Sequence, residues 1–236
     1  MEHQGQFRVT GVVLYRKDLS PTLRTLYVWC REKGAFWVFS PGSGRGKIGR
    51  AFTEPLVWGT FHLYRSTRGT YLKAMDLRED FWELRRSPLR VREALQWGGL
   101  LKKNLLPEHP EDELLRVFYW SLVLLREGAP ILPLRWRFFW KWLSLWGQAP
   151  DLWRCENCGR PLEGEDVYLH PQKGGLFCSA CTPLPGEFQK AESVLRELRR
   201  AVMLSRSDFS GSSFDLESWQ WEQRTRLLEE LLGDRC

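Results

Sequence analysis

"LVWGTFHLYRSTRGTYLKAMDL", residues 56–77, holds two runs rich in β-branched and aromatic residues that meet at Ser66-Thr67-Arg68-Gly69. Glycine at the end of so short a break supplies the positive φ that a tight reversal needs, so the stretch predicts a two-stranded hairpin. Three further runs precede it: "FRVTGVVLYRK" at 7–17, "TLRTLYVWCRE" at 22–32 and "GAFWVFS" at 34–40. Each is short, rich in β-branched and aromatic residues, and bounded by turn residues. Five strands packed into the first 80 residues would leave exposed edges in an open sheet, and a small closed barrel removes them. An OB-type barrel is expected, with an SH3-like barrel as the alternative.

After residue 80 the period changes. The segments 89–106, 111–127, 134–147, 187–206 and 216–232 place apolar residues three and four apart, and Pro107, Pro110, Pro130, Pro133 and Pro150 fall in or near the breaks. The fold class expected is therefore α+β: an OB-fold domain over 1–80, then a helical domain over 81–236 that contains a cysteine module at 152–184. At 236 residues, 43% hydrophobic and 27% charged, the chain has ample material for packed cores. It has no secretion signal and no apolar run of about 18 residues, so a cytoplasmic protein without a membrane span is expected.

Charge is unevenly spread. Lys and Arg number 13 against 7 acidic residues over 1–80, 12 against 8 over 81–154, and 10 against 14 from 155 onward. The first two segments together carry +10 and the last −4. A basic field of this kind draws polyanions and releases their counterions on binding. The 13 tryptophans add flat faces for cores, partner surfaces or stacked bases.

"CENCGRPLEGEDVYLHPQKGGLFCSAC", 155–181, holds Cys155, Cys158, Cys178 and Cys181 as two Cys-x-x-Cys pairs separated by 19 residues. In a reducing compartment this spacing favours a tetrahedral Zn2+ site over disulfides, and favours zinc over iron or an iron–sulfur cluster. Four thiolates close the coordination shell, so the metal is expected to be structural; a catalytic zinc keeps a position open for water. His170, between the pairs, is the one residue that might replace a ligand. The His-x-Glu partner of a zinc deaminase is absent.

No other enzymatic pattern survives. "GSGRGKIG" at 42–49 mimics a phosphate loop, but Ile48 stands where the P-loop needs Ser or Thr, and no βαβ frame surrounds it. It reads instead as a loop between barrel strands whose Arg45 and Lys47, with Arg50 just beyond, can reach phosphates. His3, His62, His109, Cys30 and Cys236 lack partners that would make a nucleophile or base.

The order of these features carries a resemblance. "LRWRFFWKWLSLWGQAPDLWRCENCG" at 134–159, an aromatic helix followed by Ala-Pro-x-Leu and Cys-x-x-Cys-Gly, and then Gly-Gly-x-x-Cys-x-x-Cys, resembles the RecO family of bacterial recombination mediators. The opening "TGVVLYRK" and the basic loop before "FTEPLVWGTFHLYRS" are similar to that family's N-terminal barrel. The resemblance implies a DNA repair and homologous recombination mediator, not an enzyme. Such a protein binds single- and double-stranded DNA, anneals complementary strands, and works with RecR and single-strand-binding protein so that RecA is loaded indirectly. A nucleoid-associated cytoplasmic location goes with that role. Arg45, Lys47 and Arg50 are the first candidates for DNA contact, followed by Arg16, Lys17, Arg65, Arg68 and Lys73 on or beside the strands. Lys102, Lys103 and the face of Arg135, Arg137 and Lys141 would extend the track. The stripe Trp136, Phe139, Trp140 and Leu143 reads as core. Two rival readings are a zinc-containing protein–protein adaptor that binds no DNA, and a zinc enzyme.

Overall fold

A computed structural model of the chain describes residues 4–41, 50–162, 167–169, 175–182 and 189–233. Alternation decides the first part. β1 (Gly5–Ser20), β2 (Leu23–Cys30), β3 (Gly34–Pro41), β4 (Trp58–Ser66) and β5 (Gly69–Glu79) close into a barrel in the order β1-β2-β3-β5-β4, with β4 returning to β1. β3 meets β5 in parallel at Phe39 and Tyr71, and the other neighbours are antiparallel. This is the Greek-key arrangement of an OB-type barrel. Val9, Val13, Leu26, Val28, Phe36, Val38, Phe61, Leu63 and Leu72 point inward and form its core. The α+β class read from the sequence is thus the one observed.

Closure needs glycine where backbones approach closely, at Gly11 and at Gly59. Gly11 is opposite Cys30 on β2 and Gly59 on β4, and a Cβ added there would sit 2.0 Å from the Trp29 carbonyl oxygen. The predicted hairpin forms at Ser66 and Gly69, with Gly69 at φ 136°. Ser66 Oγ accepts from the Arg68 N–H at 3.1 Å and donates to the Gly69 carbonyl at 3.3 Å, which fixes the reversal. Strand β4 starts later than its sequence suggests. Leu56 takes φ 74°, its N–H bonds to the Val13 carbonyl, and regular pairing resumes at Trp58.

The chain divides into two compact units, Met1–Leu122 and Val123–Cys236. Helix α1 (Pro88–Asn104) and most of α2 (Asp112–Arg126) therefore belong with the barrel, beyond residue 80 where the periodicity changes. The reason is apolar packing: α1 lies against β1, and Phe118 and Tyr119 of α2 meet Trp29, Trp58 and Phe81. A change of secondary structure does not end a core.

In the second unit, α3 (Ile131–Leu145) packs against α4 (Glu192–Met203) and α6 (Ser218–Gly233). Trp136, Phe139 and Leu143 of the stripe are buried, whereas Trp140 is half-buried, its Nε1 donating to the Pro150 carbonyl at 3.1 Å. A short helix, α5 (Arg206–Ser210), is capped by Ser205 and buries Phe209. The sequence extends a helix back to residue 187, whereas β8 (Gln189–Lys190) is a strand and α4 starts at Glu192. Gln189 and Lys190 complete the edge of β6 (Val167–Leu169), which also pairs with β7 (Leu176–Cys178), and tertiary pairing overrides local helical preference there. Among the described residues no helix is long and apolar enough to cross a membrane.

Arg137 is not available to a ligand. It is 9% exposed, its Nη1 donates at 2.8 Å to the carbonyls of Ala201 and Leu204 at the end of α4, and its guanidinium lies 5.0 Å from the Phe209 ring centroid. A cation on the terminal carbonyls of a helix satisfies acceptors that have no intrahelical partner. Replacing it by an apolar chain of similar length removes two charge-assisted bonds. Arg137→Met is expected to destabilise the protein by about 3 kcal/mol in urea unfolding.

Candidate metal centre and nucleic-acid interface

The cysteine module is built by backbone bonds before any ion is considered. Asp151 Oδ1 accepts from the N–H groups of Trp153 and Arg154 at 2.7 and 3.1 Å, turning the chain after α3. The Cys155 N–H then bonds to the Arg160 carbonyl and the Gly159 N–H to the Cys155 carbonyl, closing the first knuckle, with Gly159 at φ 70°. The Glu156 N–H reaches the Leu176 carbonyl at 2.9 Å and the Cys178 N–H points at Cys155 Sγ at 3.5 Å, so the second pair is held against the first.

The four Sγ atoms of Cys155, Cys158, Cys178 and Cys181 all lie within 4.8 Å of one another, and Cys158 and Cys178 are 3.7 Å apart. A tetrahedron of thiolates about a zinc ion, with Zn–S near 2.3 Å, has edges of about 3.8 Å. The donor set and its spacing fit that ion. Burial pushes the Cys155 thiol up, but N–H groups of Cys158, Cys178 and Asn157 outweigh it and bring it down to about 6. Cys158 is held low chiefly by the Arg160 N–H, and Arg160 in turn is raised by the sulfurs it faces. Arg160 is thus an outer cation for a cluster of negative charge. Outside the module, Glu79, Asp80 and Glu83 also group together, but Glu79 and Asp80 already accept backbone N–H groups of the turn into the next segment.

Helix α4 grips the module from one side. Arg199 Nε donates to the Leu152 carbonyl at 2.8 Å and its Nη2 to the Leu162 carbonyl at 3.0 Å, bracketing the first knuckle. The Ala191 N–H bonds to Val167 on β6. Sequence reading missed Arg199: its partners are carbonyls 47 and 37 positions away, and carbonyls are the same in every residue.

A cavity of about 640 Å³ opens beside the module, lined by Trp136, Leu152, Leu198, Leu228, Arg154 and Arg224 among others. Arg224 is 5% exposed, and among the described residues its Nε and Nη1 have no hydrogen-bond partner while Nη2 donates to Gln223 Oε1 at 3.4 Å. Burial brings this guanidinium down to about 10, so it stays charged at neutral pH. A buried, charged donor with open N–H groups on a cavity wall has the chemistry to donate to an anionic oxygen.

The barrel's predicted DNA contacts separate into two kinds. Arg16 is held by Asp18 at 2.7 Å and Glu54 at 2.9 Å, within a cluster that also binds Arg24. Arg65 pairs with Glu108 at 3.2 Å. Lys17, Arg68 and Lys73 are exposed and hold no ion pair among the described residues; Lys73 Nζ lies 5.4 Å from the Tyr64 ring centroid. Arg45, Lys47 and His170 lie outside the described residues, and Arg50 opens a short 3-10 turn, Arg50–Thr53. Lys141, expected to extend the track, is partly buried beside Arg137 and brought down to about 8 by that burial.

The sequence pattern described as "Recombination protein O C terminal" matches residues 98–232, more than half of the chain. The chain belongs to the RecO family. It is 26% identical over 176 residues to the DNA repair protein RecO of Desulforamulus reducens, covering 74% of this chain and 68% of that protein. It is 24% identical over 178 residues to that of Desulfitobacterium hafniense, covering 75% and 65%. With the Rubrobacter xylanophilus protein it shares 28% identity over 204 residues, covering 84% and 81%. The matched stretch thus spans only about two thirds of the first two relatives' length. Within the RecO family match lie all four cysteines, Arg137, Arg199 and Arg224.

The purified protein is expected to hold one zinc per chain by elemental analysis, without the visible absorption of iron thiolates. Cys178→Ser is expected to lower that content well below one and to lower the thermal midpoint, because metal binding is linked to folding.

Proposed function

We propose that this protein is a DNA repair and recombination mediator. It binds single- and double-stranded DNA through its barrel, anneals complementary strands, and acts with RecR to help RecA load onto DNA covered by single-strand-binding protein. Family membership carries the reading, and the free cations Lys17, Arg68 and Lys73 on a closed barrel support it. The mechanism needs no covalent step. Cations lower the repulsion between two phosphate backbones, and because they hold phosphates rather than base edges, the strands remain free to pair. The metal, read as structural Zn2+ on the four cysteines, takes no part in it. Action at the nucleoid in the cytoplasm follows from the role.

Salt titration tests the electrostatic part. For single strands the slope of log affinity against log salt is about 0.7 per phosphate neutralised. Replacing Lys17, Arg68 and Lys73 together by Gln is expected to weaken binding to all sequences and reduce that slope by about 2, and the same is expected for Arg45, Lys47 and Arg50 together. Arg16→Gln is expected to leave the slope nearly unchanged, since Glu54 and Asp18 already neutralise it. A native protein that binds no oligonucleotide at moderate salt favours the adaptor reading.

For the partner, we assign the acidic tail of single-strand-binding protein to the cavity beside the cysteine module. Its apolar walls and the open Nε and Nη1 donors of Arg224 suit a peptide that brings both carboxylates and apolar side chains. Arg224→Met is expected to cut the affinity for such a tail peptide at least about 10-fold in fluorescence anisotropy, the magnitude of losing a charge-assisted bond. Stability is expected to stay unchanged or rise, because the variant no longer buries an uncompensated charge.

A further inference from the structure

The outer face of the barrel carries a row of aromatic rings that the core does not require. Register places Tyr15 of β1 opposite Tyr27 of β2, and Tyr27 opposite Trp37 of β3. The residues flanking Trp37, Phe36 and Val38, point into the barrel core, so alternation turns Trp37 outward. Tyr27 is buried beneath its neighbours, while Tyr15 is 39% and Trp37 44% exposed. Tyr15 meets Trp37 edge-on at 6.2 Å, and Tyr27 supports it at 5.1 Å. On the same face of β3, Phe39 stacks on Tyr71 of β5 at 5.4 Å and 28°, and Tyr71 stands opposite Tyr64 of β4. The rings therefore continue from strand to strand.

Cations accompany them. Lys102 of α1 places its Nζ 4.2 Å from the Tyr15 ring centroid and 5.6 Å from that of Trp37. Lys17 lies two residues along β1 from Tyr15, exposed, and Lys73 sits over Tyr64. At the neighbouring positions of this face, Thr25 of β2 and Phe39 of β3, no acidic residue interrupts the pattern. Cross-strand aromatic pairs do stabilise sheets, and Tyr27 fills that role by being buried. A tryptophan left nearly half in water, braced by two tyrosines and with a lysine over its ring, has a different chemistry: a rigid, partly open π-surface beside a cation.

We propose that Trp37, braced by Tyr15 and Tyr27 and flanked by Lys102, is a base-stacking position for single-stranded nucleic acid, with Lys102 and Lys17 taking the adjacent phosphates. The inference rests on the nucleic-acid reading above and refines it. Lysines alone hold single strands and duplexes alike. A stacking ring takes only a base that has left its helix, so Trp37 gives the barrel a preference for unpaired strands that is tolerant of sequence.

The test uses the full chain with Trp37→Ala and Trp37→Phe, an oligothymidine of about 16 nucleotides, and a duplex of the same length, all compared over one shared series of salt concentrations. Trp37→Ala is expected to weaken oligothymidine binding about 10-fold while duplex affinity and salt slope hold, and Trp37→Phe to retain most of the affinity. Photo-crosslinking of the native chain to an oligonucleotide carrying 5-iodouracil is expected to label the peptide that contains Trp37, a readout independent of the variants' folding. Equal losses for single strand and duplex, or no loss with crosslinks elsewhere, overturn the stacking role and leave the electrostatic reading standing. A native chain that binds neither probe overturns both.

Discussion

Four thiol groups within 4.8 Å of one another cannot all ionise without a cation among them, and the chain must pass through that point to connect α3 with α4. The constraint works outward from the sulfurs. Cys155 is brought low by N–H groups, Cys158 chiefly by the Arg160 N–H, and the Arg160 side chain balances the resulting charge. Arg199 then fastens both flanks of the first knuckle to α4, so an ion held at the centre would also position the helix whose final carbonyls Arg137 holds. Arginines at three levels thus tie a local cluster of thiols into the packing of a helical unit. A closed thiolate shell suits this work, because it leaves no position at which substrate or water would compete with the ligands.

In the barrel the governing constraint is curvature. Closing five strands demands a residue without a side chain where β1 pairs on both edges, and Gly11 meets that demand. Closure then sorts every strand into inward and outward positions. The inward set is aliphatic with Phe36 and Phe61, whereas the outward set on β1, β2 and β3 collects Tyr15, Lys17, Tyr27, Trp37 and Phe39. The rings that give the first 80 residues their high β-propensity are therefore, in part, surface groups.

Much of this was legible in the sequence because it is written in short periods. Short runs of β-branched and aromatic residues between turns mark the strands, Gly69 the hairpin, the three-and-four spacing most helices, and the cysteine spacing the cluster. What stayed hidden depends on partners far along the chain. Arg137 and Arg199 look like any basic residues of amphipathic helices, and only the fold shows that carbonyls 37 to 67 positions away hold them. Nothing local sets Arg224 apart within the final helix, while packing buries it beside a cavity. Residues 189 and 190 were read as helix because no local signal announces an edge strand that exists only once β6 is in place. Counting charges likewise gave a basic first half without distinguishing Lys17, which is free among the described residues, from Arg16, which is neutralised.

Under the proposed annealing role, that distinction decides how the barrel can work. A surface whose cations were all free would hold strands so tightly at low salt that neither could search for register, and one whose cations were all paired would hold nothing. Here carboxylates occupy Arg16, Arg24 and Arg65 and leave a small set exposed, which keeps the electrostatic contribution modest and strongly salt-dependent. Stacking on Trp37 has a different dependence: it weakens little with salt and vanishes when the base pairs. A strand held by both loses the second contribution at the moment it finds its complement. The same barrel that gathers unpaired strands would therefore release the duplex it has helped to form, with no energy source beyond base pairing itself.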